Sequence, residues 1–183
     1  SSAEGVATVT SGGTVTVVGA GSTTITATQS ASADGNYTGG SSVTASLVVS
    51  PIAPTIGALS APAKNFGDAS FNLASPTSNS GGAITYTSSA PAVATVTSGG
   101  TVTIIGAGTT TITATQASTT NYTGGSVTAS LVVSPIAPTI GTLTAPAKNF
   151  GAEAFDLTAP TSDSDGAFTY TSSAPAVATV TSG

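Results

Sequence analysis

The chain has 183 residues, 39% of them hydrophobic but only 5% charged, against roughly a quarter charged in ordinary soluble domains, so Ser, Thr and Gly must cover its surface. Seven acids against two lysines give a net charge of −5, which removes the attraction to phosphate that nucleic-acid binding needs and disfavours an anionic membrane surface. Cys, His, Met, Trp and Arg are all missing, and with them disulfides, thiolate metal sites, the usual general base and the bidentate anion clamp.

The expectation is therefore a protein that is no enzyme, with no catalytic, cofactor-binding or metal residues to assign. No apolar run approaches the length of roughly 20 residues that spans a bilayer, and no basic-then-apolar leader opens the chain. A start at Ser1 reads as a processed or excised piece of a longer polypeptide.

From the N-terminus, the first recurring string is Val6-Ala-Thr-Val-Thr-Ser-Gly12, which returns at Val93 and Val177, spacings of 87 and then 84 residues. The difference falls in one place, where the segment Gln29–Val43 corresponds to the shorter Gln116–Val127. A length change of that kind is what a surface loop tolerates. A period of about 85 residues exceeds that of a solenoid repeat and suits a small domain owning its own core. Next comes Ser50-Pro-Ile-Ala-Pro54, repeated as Ser134-Pro-Ile-Ala-Pro138; paired prolines fix φ and withhold amide donors, so each reads as a short, stiff junction. The domain reading is thus a C-terminal half-repeat at 1–50, one complete repeat at 51–134 and an N-terminal half-repeat at 135–183.

Within the complete repeat, alternation of apolar residues with Thr or Ser predicts strands at Thr55–Leu59, Ser70–Leu73, Ile84–Ser88, Val93–Ser98, Thr101–Ile105, Thr109–Gln116 and Ser126–Ser134. No stretch shows a helical period. The last strand sets the parity: Val127, Ala129, Leu131 and Val133 share one face, Thr128 and Ser130 the other. The same rule predicts Phe71, Leu73, Ile84, Tyr86, Val102, Ile104, Ile112 and Ala114 to be buried. Ser98-Gly-Gly-Thr101 reads as a glycine-bearing hairpin. Seven short strands with such turns argue for an all-β sandwich.

The segments Tyr86-Thr-Ser-Ser-Ala-Pro-Ala-Val-Ala-Thr-Val96, Gly100-Thr-Val-Thr-Ile-Ile-Gly-Ala-Gly-Thr-Thr-Thr-Ile-Thr-Ala-Thr-Gln116 and Asn121-Tyr122, with Phe66-Gly-Asp-Ala-Ser-Phe-Asn-Leu73 before them, resemble the bacterial immunoglobulin-like tandem repeats of large surface proteins, the invasin and intimin type among them. The resemblance implies an immunoglobulin-like β-sandwich repeat and an extracellular or cell-surface rod or stalk. The third copy departs from it, with Ala152 and Glu153 where the second has Asp68 and Ala69.

Four sequence features are weighed as sites. Asp163-Ser-Asp165-Gly166 begins like an oxygen-rich calcium loop, but its counterpart Asn79-Ser-Gly81-Gly82 lacks both charges, so a solvated turn is preferred. Lys64 and Lys148 are candidates for an isopeptide bond to Asn; a surface lysine weakly paired with Asp68 or a neighbour is preferred. Asn36-Tyr-Thr and Asn121-Tyr-Thr match a glycosylation acceptor, against a reading as turn residues with Tyr37 and Tyr122 covering one end of the sandwich. Gly106-Ala-Gly108 and Gly19-Ala-Gly21 resemble nucleotide loops superficially, and tight β-turns account for them.

Two functions are compatible with these residues. One is a structural spacer rod in an adhesin stalk or extracellular fibre; the other is a binding module or virion-surface fibre whose loops at 32–42 and 118–126 make weak glycan or protein contacts. Partners are then adjacent repeats of the same chain, or like chains joined head to tail. Since Ser1 aligns with Ser88 and Ser172, two arrangements stay open: a window on a continuous array, which is preferred because half-sandwiches expose unpaired edges, or completion of one chain's half-domain by the next.

Overall fold

The computed structural model describes residues 1–181, and the hairpin entry expected at Ser182-Gly183 lies outside them. The chain divides into two compact units, Ser1–Pro135 and the residues from Ile136 onward. Eleven strands and no helix occur among the described residues: β1 (Ala7–Val9), β2 (Val15–Val17), β3 (Gly21–Thr28), β4 (Ser42–Val49), β5 (Lys64–Asn65), β6 (Phe71–Asn72), β7 (Ile84–Ser88), β8 (Ala94–Val96), β9 (Thr101–Ile104), β10 (Gly108–Gln116) and β11 (Gly125–Ser134).

Residues 51–134 build an all-β immunoglobulin-like sandwich. One sheet has the order β5-β11-β10-β7 and the other β6-β9-β8. The long antiparallel pair β10 and β11 runs from Gly108↔Val133 to Gln116↔Gly125, and β7 adds on the far side of β10 from Ile112↔Ser88 to Gln116↔Ile84. β-branched Thr, Val and Ile fill these strands because their restricted χ1 suits a pleated surface. Alternate side chains point between the sheets, where Leu59, Leu73, Tyr86, Ala94, Val102, Ile112, Ala114, Leu131 and Val133 form the core, with Phe71, Ile84, Ile104, Val127 and Ala129 packed half-buried against it. Every position that parity assigned to the interior therefore faces it. Each fully buried Ile or Leu contributes about 1.5–3 kcal/mol, so Ile112 and Leu131, both 0% exposed, anchor the two central strands.

The strand expected at Thr55–Leu59 does not form. Only an isolated bridge, Ile56↔Ser78, remains there, and a two-residue strand appears instead at Lys64–Asn65, parallel to the end of β11. Pro51, Pro54 and Pro62 each lack an amide donor and interrupt any ladder through this stretch. The chain therefore bridges to Ser78 at Ile56, inserts Leu59 into the core and joins the edge of β11 at Lys64. The glycine hairpin is a three-residue loop, Ser98–Gly100, closed by Thr97 N donating to Thr101 O at 2.9 Å and Gly100 N to Thr97 O at 3.0 Å. Gly100 has φ +90°, and a Cβ there would meet the Tyr86 ring at 3.1 Å, so glycine serves both the left-handed turn and the packing of Tyr86.

Residues 1–50 form two antiparallel pairs similar in register to those of β8–β9 and β10–β11. β1 and β2 pair with Ala7↔Val17 as β8 and β9 pair with Ala94↔Ile104, and β3 and β4 pair from Gly21↔Val49 to Thr28↔Ser42.

In the second unit no strand is assigned among the described residues. It keeps the Ile140↔Ser162 bridge, the counterpart of Ile56↔Ser78. Its apolar residues Phe155, Leu143 and Ile140 are 45%, 48% and 55% exposed.

Candidate interaction surface

β3 and β10 differ at one position only, Ser22 against Thr109, and Ser42–Ser50 is identical to Ser126–Ser134. The same side chains nevertheless meet different surroundings. In residues 51–134 β7 covers the flank of β10, and Ile112, Ala114 and Gln116 are buried. In residues 1–50 no strand lies beside β3 on that flank among the described residues, Ala27 and Gln29 are exposed, and Val43 is 73% exposed. A shallow hollow lies at this end, lined by Ala27, Thr28, Gln29, Ser41, Ser42 and Val43.

Two buried polar side chains organise the complete repeat. Gln116, 2% exposed, accepts from Ser78 Oγ at 2.7 Å and donates through Nε2 to Ser80 O at 2.9 Å and Gly82 O at 3.0 Å. It thereby ties the end of β10 to the turn leading into β7. Thr110, also 2% exposed, accepts from Ala90 N at 3.0 Å and shares a 2.8 Å hydrogen bond with Ser88 Oγ. In residues 1–50 the threonine centre persists, as Thr23 accepts from Ala3 N at 2.9 Å and shares a 2.8 Å bond with Ser1 Oγ. The glutamine centre does not: Gln29 lacks the turn that would enclose it. Strand parity puts both on the face of Ile112 and Ala114, but counting only apolar residues as core leaves them out, although Thr-Ala-Thr-Gln recurs at 26–29 and 113–116.

A second feature joins residues 1–50 to the complete repeat. Ala20 N donates to Asn121 Oδ1 at 2.7 Å. Gly19 permits the approach, since a Cβ there would lie 2.8 Å from Gly5 O and 3.0 Å from Asn121 Oδ1. The linker is tied to the same loop, with Ile52 N donating to Asn121 O at 3.1 Å and Ile52 O accepting from Thr123 N at 2.8 Å. Its other end is capped by Asn79 Oδ1, which accepts from Thr55 N at 2.8 Å.

The remaining candidates take up local roles. Asp163 Oδ1 accepts from Thr139 N at 2.9 Å, the bond that Asn79 makes in the preceding copy, and Ser162 and Ser164 close the turn around it. Lys64 Nζ sits 4.8 Å from the centroid of the Phe71 ring, and Lys148 stands equally over Phe155; the expected pairing of Lys64 with Asp68 gives way to this cation–π contact. Asp68 Oδ2 instead accepts from Asn65 N at 2.9 Å.

Asn36 donates through Nδ2 to Asp34 Oδ2 at 2.8 Å. Hydrogen bonds from Ser32 Oγ first, then from Asn36, hold the Asp34 carboxyl down at about 2 by favouring its charged form. Tyr122 lies half-buried beside the linker through its bridge to Ile52, but Tyr37 is 74% exposed and does not cover the end of a sandwich. Its longer loop folds on Asp34, and no linker runs beside it among the described residues. The Gly19–Gly21 and Gly106–Gly108 segments are tight turns, where Val6 O and Val93 O each accept two backbone amides.

Residues 70–118, from β6 to just beyond β10, match the family model described as the intimin, immunoglobulin-like domain. A search of curated proteins finds no match to the chain. The matched stretch contains the glycine hairpin, the Thr110 centre and Gln116. Residues 70–118, within the β-sandwich of residues 51–134, are thus similar to the intimin type of bacterial immunoglobulin-like domain.

Proposed function

We propose that this chain is a segment of the extracellular stalk of a surface adhesin-type protein, in which consecutive sandwiches act as a spacer and do no chemistry. The division into half-repeats at 1–50 and 135–183 around a complete repeat at 51–134 belongs to this reading. The observation that carries it is the joint between residues 1–50 and the complete repeat. Both hydrogen-bonding groups of Ile52 are engaged, and Asn121 reaches Ala20 across the junction. A five-residue linker left free would let neighbouring domains swing; one fastened at both ends transmits orientation. A surface of Ser and Thr with few ions suits a rod that must stand in solvent without recruiting charged partners.

The reading is tested by spin labels at the exposed positions Thr26 and Thr128. Pulsed electron paramagnetic resonance should give one narrow distance distribution, broadened by Asn121→Ala. A distribution already as broad as that of a free linker in the parent chain would reject the stiff spacer.

A further inference from the structure

We infer that Asn36 is the acceptor of an N-linked glycan, transferred to its side-chain amide from a lipid-linked glycosyl diphosphate, and that Asn121 in the matching string is not. Asn-Tyr-Thr stands at 36–38 and again at 121–123, and Asn-X-Thr on a surface loop is the pattern an N-glycosyltransferase takes. The strings are identical, so their surroundings decide between them. At 121–123 the string is built into the joint: Asn121 Oδ1 accepts from Ala20 N at 2.7 Å, Asn121 O accepts from Ile52 N at 3.1 Å, and Thr123 N donates to Ile52 O at 2.8 Å. Tyr122 between them is half-buried and bridges to Ile52. Drawing this string into a transferase would break these hydrogen bonds, at about 0.5–1.5 kcal/mol each.

Residues 36–38 are exposed throughout. The bonds of their loop stay within it, from Tyr37 N to Ser32 Oγ at 3.0 Å and from Asn36 Nδ2 to Asp34 Oδ2 at 2.8 Å. Gly35 and Gly40 flank the string at φ +74° and +99°, and a Cβ on either would meet nothing within 4 Å, so a transferase finds open space on both sides. The longer loop also places Asp34 two residues before Asn36, where Thr119 stands before Asn121. That carboxylate is exposed and ionised at neutral pH, a fixed charge for an Arg or Lys of the transferase to hold. In the transfer, Asn36 Nδ2 attacks the anomeric carbon of the donor sugar. The C–N bond forms, the C–O bond to diphosphate breaks, the diphosphate leaves with its electron pair, and one amide proton passes to a base of the transferase. The Tyr37 ring beside the acceptor, 74% exposed, offers an apolar face to the first sugar.

The acceptor role rests on the stalk reading only in that export carries the chain past a membrane-bound sugar donor. Full-length chain made without a transferase keeps its sequence mass and is the starting material. It is incubated, folded, with a bacterial oligosaccharyltransferase that reads an acid two residues before the asparagine and with a polyprenyl-diphosphate-linked oligosaccharide. Intact mass and peptide mapping then locate the sugar. A single glycan should appear on Asn36, be lost in Asn36→Gln and persist in Asn121→Gln. Asp34→Asn should slow transfer at least about tenfold, the loss of one charge-assisted contact. Thr119→Asp gives Asn121 the same acid and can accept from Tyr122 N as Thr119 does, yet it should leave Asn121 bare because the joint holds the string. An unmodified folded chain, an Asp34→Asn rate equal to the parent's, or sugar on Asn121 of the Thr119→Asp variant would overturn the inference. An unmodified chain would leave the spin-label distance across the joint where it was, so the two readings fail separately.

Discussion

Replacing Gln116 with Leu asks whether a buried polar centre holds the first sheet to the turn before β7. The side chain makes three hydrogen bonds, at 2.7, 2.9 and 3.0 Å, and is 2% exposed. Each neutral bond contributes about 0.5–1.5 kcal/mol net, and a buried carbonyl left without a donor costs about 1–3 kcal/mol. Leu fills most of the volume but strands Ser80 O and Gly82 O, so the expected loss is about 2–4 kcal/mol. With a urea m-value of about 2 kcal/mol/M, the midpoint should fall by about 1–2 M, read from the fluorescence of buried Tyr86. Gln29→Leu, on an identical Thr-Ala-Thr-Gln sequence but in the open, should stay within about 0.5 kcal/mol in dilute solution. Equal shifts for the two variants, or a Gln116→Leu midpoint unmoved, would refute the assignment of the glutamine as an internal tie.

Other perturbations follow the same contrast. Leu131→Ala should cost about 2–5 kcal/mol, and Leu47→Ala, in an identical strand but half-buried, clearly less by the same denaturation assay. Gly19→Ala should push Asn121 away from Ala20 and broaden the spin-label distance distribution across the joint while leaving the melting of the 51–134 sandwich within about 0.5 kcal/mol. The carboxyl of Asp34 is lowered from 3.8 to about 2, so its ordering of the loop is complete above pH 3.8 and is lost as pH falls through about 2. Amide chemical shifts of Ser32 and Asn36 should follow that titration, and Asp34→Asn should remove it. With Lys64 stacked on Phe71, intact mass should equal the sequence mass, and a loss of one ammonia would reveal an isopeptide bond instead.

Strand alternation made most of the sandwich legible. The parity of Val127, Ala129, Leu131 and Val133 is enough to orient β11, and the same period orients β7, β9 and β10, because a side-chain repeat of two leaves one face for the core. The first strand fails for a physical reason: Ile56 and Leu59 are three residues apart and fall on opposite faces of an extended chain, while Pro54 and Pro62 on either side stop a ladder from continuing. Gln116 and Thr110 escaped because a polar residue is interior only when its partners are brought to it by distant segments, here the turn at Ser78–Gly82 and the Ser88–Ala90 bend. Asn121 had been visible as a loop residue, and its role at the joint depends on Gly19, a hundred residues away in sequence. The exposure of Ala27, Gln29 and Val43 is not legible in the sequence, because Ala114, Gln116 and Val127 are the same residue types in the same strings.

Two nearly identical strands, β3 and β10, differ chiefly in whether a strand such as β7 lies beside them. Hydrogen exchange measured residue by residue on the dilute chain tests this directly. Amides of β3 that face away from β4 should exchange rapidly, and those of β10 that face β7 should be protected to near the stability of the sandwich. Equal protection of both strands at high dilution would contradict the account.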